Sequence, residues 1–441
     1  MYTVLKGTHD VINEEANRYS YIEEVLTKVA TLYGYKEFRT PIIENSELFT
    51  RSVGEGSDIV RKEMYTFLDK GDRQITLRPE MTAGCVRSMV NNKLFANQDF
   101  PVKAFYVGPN FRYERPQQGR YRQFNQFGIE CCGVDNPYRD IEVIALGYNG
   151  LKLLGFSNLK LKINSLGDEE SRKNYHAALK EYFANYVGEM CEDCKERFEK
   201  NILRILDCKD KHDQEIIAGA PKISDYYTPE AEAQFKKVLE ELQTLGIEYE
   251  IDHNLVRGLD YYTGVVFEYH YTSQLGKNYG ALGGGGHYAN LVREVGGPDL
   301  EGVGVAFGIE RLANVMTDDD LFDGDIDQKL DIYIMPLSQE TYKEANVLAN
   351  FLRLNGYATD ACFENKGFKQ MFKKAERRGA KFAIIIGEDE IKNDIVILKN
   401  LDTQTQLEVA NDEILETLDD LFELDSHEHE HEHCHCDCDH E

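Results

Sequence analysis

The sequence predicts an α+β chain of two folded units, a large one built on antiparallel strands and carrying a helical insertion, then a smaller α/β one. Three observations predict it. Runs rich in aromatic and β-branched residues flank turn residues, most clearly on either side of Pro116-Gln117-Gln118-Gly119, as two strands of a hairpin would. Residues 168–230 turn to charge-rich sequence with helical spacing and no strand alternation. From Asp331 the rhythm becomes strand, helix, strand, the signature of a compact domain with a largely parallel sheet. The expected boundaries are 1–325 for the first unit, with 168–230 inserted in it, and 329–424 for the second. A tail at 426–441 alternates His, Glu, Cys and Asp, cannot hold a core and is expected to be disordered.

Taken in order, Asn13 to Tyr33 has Ala16, Tyr19, Ile22, Val25, Leu26 and Val29 at helical spacing, with Gly34 as a stop. Glu37 to Glu44 reads as a strand with Pro41 near its front. Gln74 to Glu80 reads as a strand stopped by Pro79, and Thr82 to Val90 as a helix. Glu80 and Thr82 at that junction suit a ligand or a helix cap equally well. Val102 to Val107 is an apolar strand, and Phe111 to Phe127 the hairpin, with Arg112, Arg115, Arg120 and Arg122 among aromatics. That pattern suits a phosphate- or RNA-reading surface, or a solvated hairpin whose arginines pair with carboxylates.

Leu255-Val256-Arg257-Gly258-Leu259-Asp260-Tyr261-Tyr262-Thr263-Gly264 is a turn leading into the strand Val265 to Tyr269, placing an Arg and two Tyr at its mouth. The Gly283 to Gly286 run permits close backbone approach. Gly302 to Gly308 is a small-residue strand entering a helix with Glu310 and Arg311 in its first turn. An Arg there opposes the helix dipole, which a bound anion would rationalise. Past an acidic linker at 317–327, the helix Lys366 to Arg378 gathers Lys369, Lys373 and other cations, as a patch for nucleic acid or as a solvated face.

A net charge of −28 is unfavourable for nucleic-acid binding in bulk, so a binding face must be local. No apolar run reaches membrane-spanning length, and the first ten residues lack a secretory core, so the expectation is a cytoplasmic protein without membrane contact. The ten cysteines then read as thiols or metal ligands. Cys191, Cys194, Cys208 and His212 have spacing that could close a zinc site, or are inert buried thiols. His429, His431, His433, Cys434, Cys436 and Cys438 of the tail could chelate a metal.

Together these stretches resemble the histidyl-tRNA synthetase family of class II aminoacyl-tRNA synthetases, from Met1 to about Leu424. Thr40-Pro41-Ile42-Ile43-Glu44 resembles its dimer-interface motif, Phe111-Arg112-Tyr113-Glu114 with the loop to Gln126 its second motif, and Gly308-Ile309-Glu310-Arg311 its third. Leu255 to Tyr262 resembles the segment particular to histidine enzymes. The resemblance implies an antiparallel-sheet class II catalytic domain, a C-terminal anticodon-binding domain and a homodimer. It implies ATP as substrate with Mg2+, and L-histidine and histidine tRNA as partners.

By the same resemblance Arg112 and Arg257 act on the α-phosphate, Arg311 on the γ-phosphate and Glu114 at the adenine. Glu80, Thr82 and Gln126 would hold the α-amino group, and Glu130, Tyr261, Tyr262 and Tyr288 would surround the imidazole. Arg115, Gln118 and Arg120 would meet the acceptor stem, and Lys369 and Lys373 the anticodon side. Met81, His287 and Ala289 depart from the family pattern. The competing reading is a histidine-sensing regulatory paralogue of the kind found with ATP phosphoribosyltransferase, which resembles the catalytic domain alone.

Overall fold

Alternation of apolar and polar residues along the long strands decides which face of the main sheet is core and which is open. The computed structural model describes all residues except 1, 55–56, 58, 97–99, 117–118, 134–135, 258, 260, 323–325, 327–328, 365 and 433–441, and side chains up to residue 423. The chain divides into two units, Met1–Ile326 and Asp327–Glu441.

The first unit opens with helix α1 (Glu14–Leu32), strands β1 (Lys36–Glu37) and β2 (Ile43–Asn45), helix α2 (Ser46–Ser52) and a π-helical turn (Ile59–Glu63). Strands β3 (Tyr65–Leu68) and β4 (Gln74–Leu77) precede helix α3 (Thr82–Asn91). Next come β5 (Val102–Phe111), β6 (Gln123–Cys132), helix α4 (Pro137–Leu153) and β7 (Leu159–Ser165). The insertion holds α5 (Glu169–Ala184), α6 (Glu192–Lys200), a 3₁₀ turn (Ile202–Asp207) and α7 (Lys211–Ile217), followed by α8 (Pro229–Thr244). The unit ends with β8 (Tyr249–Ile251), β9 (Thr263–Thr272), β10 (Asn278–Tyr288), α9 (Leu291–Glu294), β11 (Gly302–Gly308) and α10 (Ile309–Asp318).

The main sheet has eight strands in the order β1-β5-β6-β11-β10-β9-β7-β8, antiparallel except at its two edge pairings. One face packs Phe127, Ile129, Phe267, Tyr269, Val305 and Phe307 against α1, α4 and α10. The alternate residues of the same strands look the other way, so the sheet offers an open face to a ligand. A separate three-stranded sheet, β2-β4-β3, leaves Ile42, Ile43, Phe67 and Leu68 exposed.

Several expectations need correcting. The strand expected over Glu37 to Glu44 is broken into β1 and β2 around Pro41, which lacks the N–H that a ladder needs. The strand expected to stop at Val107 runs through Gly108 and Pro109 to Phe111, pairing Pro109 with Asn125 on β6. The glycine run is part of strand β10.

The second unit contains β12 (Ile332–Pro336), α11 (Tyr342–Leu354), β13 (Thr359–Ala361), α12 (Phe368–Arg377) and β14 (Phe382–Ile386). It ends with α13 (Glu388–Asn393), β15 (Ile395–Asn400), β16 (Gln406–Ala410) and α14 (Ile414–Glu432). Its sheet, β13-β12-β14-β15-β16, is mixed rather than largely parallel: β12 pairs in parallel with β13 and β14, while β14–β15 and β15–β16 are antiparallel. The six-residue α13 is too short a connection for a parallel crossover. The tail was expected to be disordered, yet α14 continues to Glu432, since its His/Glu alternation contains no helix breaker. Among the described residues no helix is long and apolar enough to cross a membrane.

Candidate active site

On the open face of the sheet, register places Tyr106, Gly128, Ala306, Gly284, Glu268 and Lys162 in one row across β5, β6, β11, β10, β9 and β7. Ala104, Glu130, Gly304, Gly286 and Val266 make the next row. The middle of both rows is nearly bare of side chains, and larger groups from the rim lie across it. A Cβ on Gly304 would stand 2.0 Å from Glu130 Oε2, and one on Gly284 would stand 2.9 Å from the Arg257 guanidinium. Glycine there is a seat for Glu130 and Arg257, and the close backbone approach expected of the run is to the protein's own side chains.

The result is a cleft of about 1540 Å³. Pockets for one drug-sized ligand span roughly 300–1,000 Å³, so this one has room for more than one small substrate. Glu80, Thr82, Arg112, Glu114, Arg120, Gln126, Arg257, Tyr261 and Tyr262 of the expected residues line it. Those arise from three separate stretches that the sheet brings together.

At one end, the Glu80 carboxylate accepts from the backbone N–H of Thr82 at 2.6 Å and of Ala83 at 3.1 Å, so it caps α3 while lining the cleft. Burial raises its pKa above the ordinary carboxylate value. The Gln126 amide oxygen accepts from Asn110 Nδ2 at 2.7 Å. Tyr261 and Tyr262 lie ring to ring, centroids 4.6 Å apart, and Tyr261 meets Tyr288 edge-on at 5.8 Å.

Glu130 and Tyr288 lie beneath this surface, almost completely buried. Each Glu130 oxygen accepts a hydroxyl, from Tyr106 at 2.8 Å and from Tyr288 at 2.8 Å. Burial is the main reason its pKa is pushed up to about 8. His287 sits between Asp140 Oδ1 and Glu301 Oε2, each 3.0 Å from a ring nitrogen. Burial pulls its pKa down, but the two carboxylates outweigh burial and hold it at about 9. The departure at His287 thus keeps a buried cation there.

The arginines complete the lining. Arg112 donates from Nε to the Pro79 carbonyl at 2.8 Å and lies over the Phe124 ring. Arg257 donates to Glu268 Oε1 at 2.5 Å, and Glu268 also meets His270. Arg311, in the first turn of α10, donates to the Tyr279 carbonyl beside Gly119 at the edge of the cleft. Among the described residues the buried Nε donors of Arg257 and Arg311 lack a hydrogen-bond partner, as do those of Arg87, Arg139 and Arg172. Glu310 accepts from the Asn125 backbone at 2.8 Å, tying α10 to β6.

In the loop, Arg115 and Arg120 are exposed, Arg120 lies 3.5 Å from Glu114, and Arg122 stacks on Tyr113. Gln118 falls outside the described residues. Tyr106, Asn110, Glu268 and His270 are site residues that sequence reading missed; a polar or aromatic residue in phase with Glu130 or Gln126 on the partner strand was the available signal.

In the second unit, Lys369 and Lys373 are exposed on α12 and form no ion pair among the described residues, while Lys374 pairs with Glu364 at 2.8 Å and Arg378 with Asp360 at 3.0 Å.

The expected cysteine site needs a correction. The four donors within 4.8 Å of one another are Cys191, Cys194, Cys208 and Asp213. His212 is exposed, because Asp210 caps α7 and turns the next position, Asp213, inward. In the tail, the side chains of His429 and His431, and His433, Cys434, Cys436 and Cys438 altogether, lie outside the described residues.

A family model described as histidyl-tRNA synthetase matches residues 7–312, and one described as anticodon-binding domain matches 331–421. A sheet-built unit with an arginine-rimmed cleft, joined in one chain to a segment matching an anticodon-binding domain, has the make-up of an aminoacyl-tRNA synthetase. A curated histidine–tRNA ligase of Bacillus velezensis is 46% identical over 420 residues, covering 95% of this chain and 98% of that one. One from Staphylococcus aureus is 44% identical over 420 residues, covering 94% and 99%. The solved apo histidyl-tRNA synthetase of S. aureus superposes with a TM-score of 0.81 at 39% identity, covering 95% of this chain and all of that one. The chain belongs to the histidyl-tRNA synthetase family. A regulatory paralogue is not favoured, because the matched relatives are ligases over nearly their whole length.

Proposed function

We propose that the chain activates L-histidine with ATP, taken as its magnesium complex, and transfers the histidyl group to histidine tRNA. The observation that carries this is one cleft lined by carboxylate and amide acceptors together with arginines. The histidine carboxylate attacks the α-phosphorus. The new bond is carboxyl oxygen to phosphorus, and the bond to the bridging oxygen breaks, releasing pyrophosphate. No strong base is needed; positioning and charge neutralisation do the work.

Arg112 and Arg257 neutralise the α-phosphate, and Arg311 the γ-phosphate. The buried Nε atoms of Arg257 and Arg311, without a partner among the described residues, support these assignments, since such donors carry a cost that a ligand oxygen relieves. Glu114 borders the adenine. Glu80, Thr82 and Gln126 hold the α-ammonium group. Tyr261 and Tyr262 wall the imidazole, with Glu130 and Tyr288 behind them setting the floor. A buried carboxyl near pKa 8 can accept from or donate to a ring nitrogen.

Arg115, Gln118 and Arg120 meet the acceptor end of the tRNA. The unit 329–424 reads the anticodon through Lys369 and Lys373. Two copies associate through the exposed apolar residues of the small sheet, Ile42, Ile43, Phe67 and Leu68. The protein works in the cytoplasm.

The test is ATP–pyrophosphate exchange with each amino acid in turn. Exchange with histidine alone is expected; no exchange with any amino acid would sink the proposal. Sedimentation should give a dimer, which Ile43→Asp weakens.

A further inference from the structure

We infer that the insertion carries a zinc site made by Cys191, Cys194, Cys208 and Asp213. Cys191 is the cap residue of α6 and Cys194 lies in its first turn; Cys208 ends the 3₁₀ turn, and Asp213 is in the first turn of α7. Three short elements thus aim four donors at one point, all within 4.8 Å of one another.

The distances are those of a coordination shell. Cys191 Sγ and Cys208 Sγ are 3.8 Å apart, and Cys208 Sγ is 3.3 Å from Asp213 Oδ2. Zinc–sulfur bonds of about 2.3 Å and zinc–oxygen bonds of about 2.0–2.2 Å in a tetrahedron give edges of roughly 3.8 Å and 3.5 Å. A disulfide needs about 2.05 Å and would leave the third thiol and the carboxylate unused.

A second, independent observation points to a cation. Asp213 is wholly buried and has no Lys, Arg or His partner among the described residues. A carboxylate in that position ordinarily has a counter-charge. Its two oxygens accept from the Cys191 backbone N–H at 3.2 and 3.3 Å, which fixes the carboxylate in place. Three sulfurs and one oxygen select a borderline-soft ion with tetrahedral preference, and exclude magnesium, which demands oxygen. Binding releases the three thiol protons to solvent and involves no redox change.

The site has a mechanical consequence. Cys194 and Cys208 belong to the apolar cluster that includes Leu255 and Val256, directly before Arg257. Arg61 of the π-helical turn pairs with Glu196 of α6. Zinc therefore staples a module that walls the cleft on the arginine side.

The experiment uses the full chain with Cys434, Cys436 and Cys438 changed to Ser, so that tail thiols cannot contribute. Zinc content is measured after purification, and Co2+ is titrated into the metal-stripped protein. One equivalent, with the intense thiolate charge-transfer bands of tetrahedral cobalt displaced by zinc, is the expected result. Cys208→Ser should abolish the bands, Asp213→Asn should weaken zinc affinity by ~10-fold or more, and His212→Ala should change nothing. Hydrogen exchange over 191–217 should slow when zinc is added. Absence of thiolate bands, loss of binding in His212→Ala, or a Cys191–Cys208 disulfide in the protein purified under reducing conditions would each overturn the assignment. Because Cys208→Ser could unfold the module, Asp213→Asn and the exchange measurement decide the matter independently.

Discussion

The floor and the arginine wall of the cleft are both built from buried polar groups, yet they are wired differently. On the floor, Glu130 is answered within the protein by two tyrosines and His287 by two carboxylates. On the wall, Arg257 and Arg311 each keep a buried donor without a partner among the described residues. A satisfied network rigidifies a fold, whereas an unsatisfied donor costs about 1–3 kcal/mol and persists where a ligand completes it. The floor therefore holds shape, and the wall is where the proposed phosphate contacts fall.

The largest effect should come from the wall. Arg257→Ala is expected to slow adenylate formation by ~10²–10³, with histidine binding within a few-fold of wild type. Rapid-quench single turnovers and histidine titration separate the two. Equal single-turnover rates would erase the distinction between wall and floor.

The floor should answer to pH instead. His287 titrates near 6.5 when unfolded and at about 9 when folded, so the folded state holds its proton more tightly. The stability it contributes is complete below its unfolded pKa and disappears as pH rises through about 9. A shift of that size is worth about 3 kcal/mol. Glu130, raised from 4.5 to about 8, acts in the same direction over a lower window. Urea melts between pH 6 and 9.5 should show the loss, and His287→Gln should flatten it by roughly that amount. Parallel pH curves for variant and wild type would mean that the His287 ion network is not formed in solution.

A smaller effect is expected where floor and wall meet. Tyr262 packs on Tyr261 and lies across the Arg257 guanidinium. Tyr262→Phe removes one hydroxyl, worth about 1 kcal/mol, and should raise KM for histidine several-fold with kcat nearly kept. A fall in kcat at unchanged KM would move Tyr262 to the phosphate side.

The wall's arginines were picked out because they sit at turns and strand ends, where ligand contacts concentrate; Arg257 alone reads as an ordinary hairpin end, and the resemblance is what singles it out. The floor was less so. Tyr106 and Glu130 become partners only through the β5–β6 register, which places Tyr106 opposite Gly128, two residues from Glu130. Helix α4 was missed because it is buried on most of its circumference and shows no amphipathic stripe. Strand β16 was missed because it lies at an edge with most of its residues exposed. His212 was chosen over Asp213 because spacing cannot resolve one helical position, a rotation of about 100°.

The same contrast between answered and unanswered charge recurs on α12 and supplies the finest test. Lys374 is held by Glu364, while Lys369 and Lys373 stand exposed without an ion pair among the described residues. If unpaired cations mark ligand contacts here too, Lys369→Ala and Lys373→Ala should each raise KM for tRNA a few-fold. Each should also lower the salt slope of tRNA binding by roughly 0.7–0.9, as one phosphate contact is lost. Histidine-dependent ATP–pyrophosphate exchange should not change, because that step needs no tRNA. Lys374→Ala should leave the salt slope as it was. A salt slope that responds to Lys374 and not to Lys369 or Lys373 would show that on this exposed helix pairing no longer separates structural charge from binding charge. The rule drawn from the cleft would then hold only where burial makes an unanswered charge expensive.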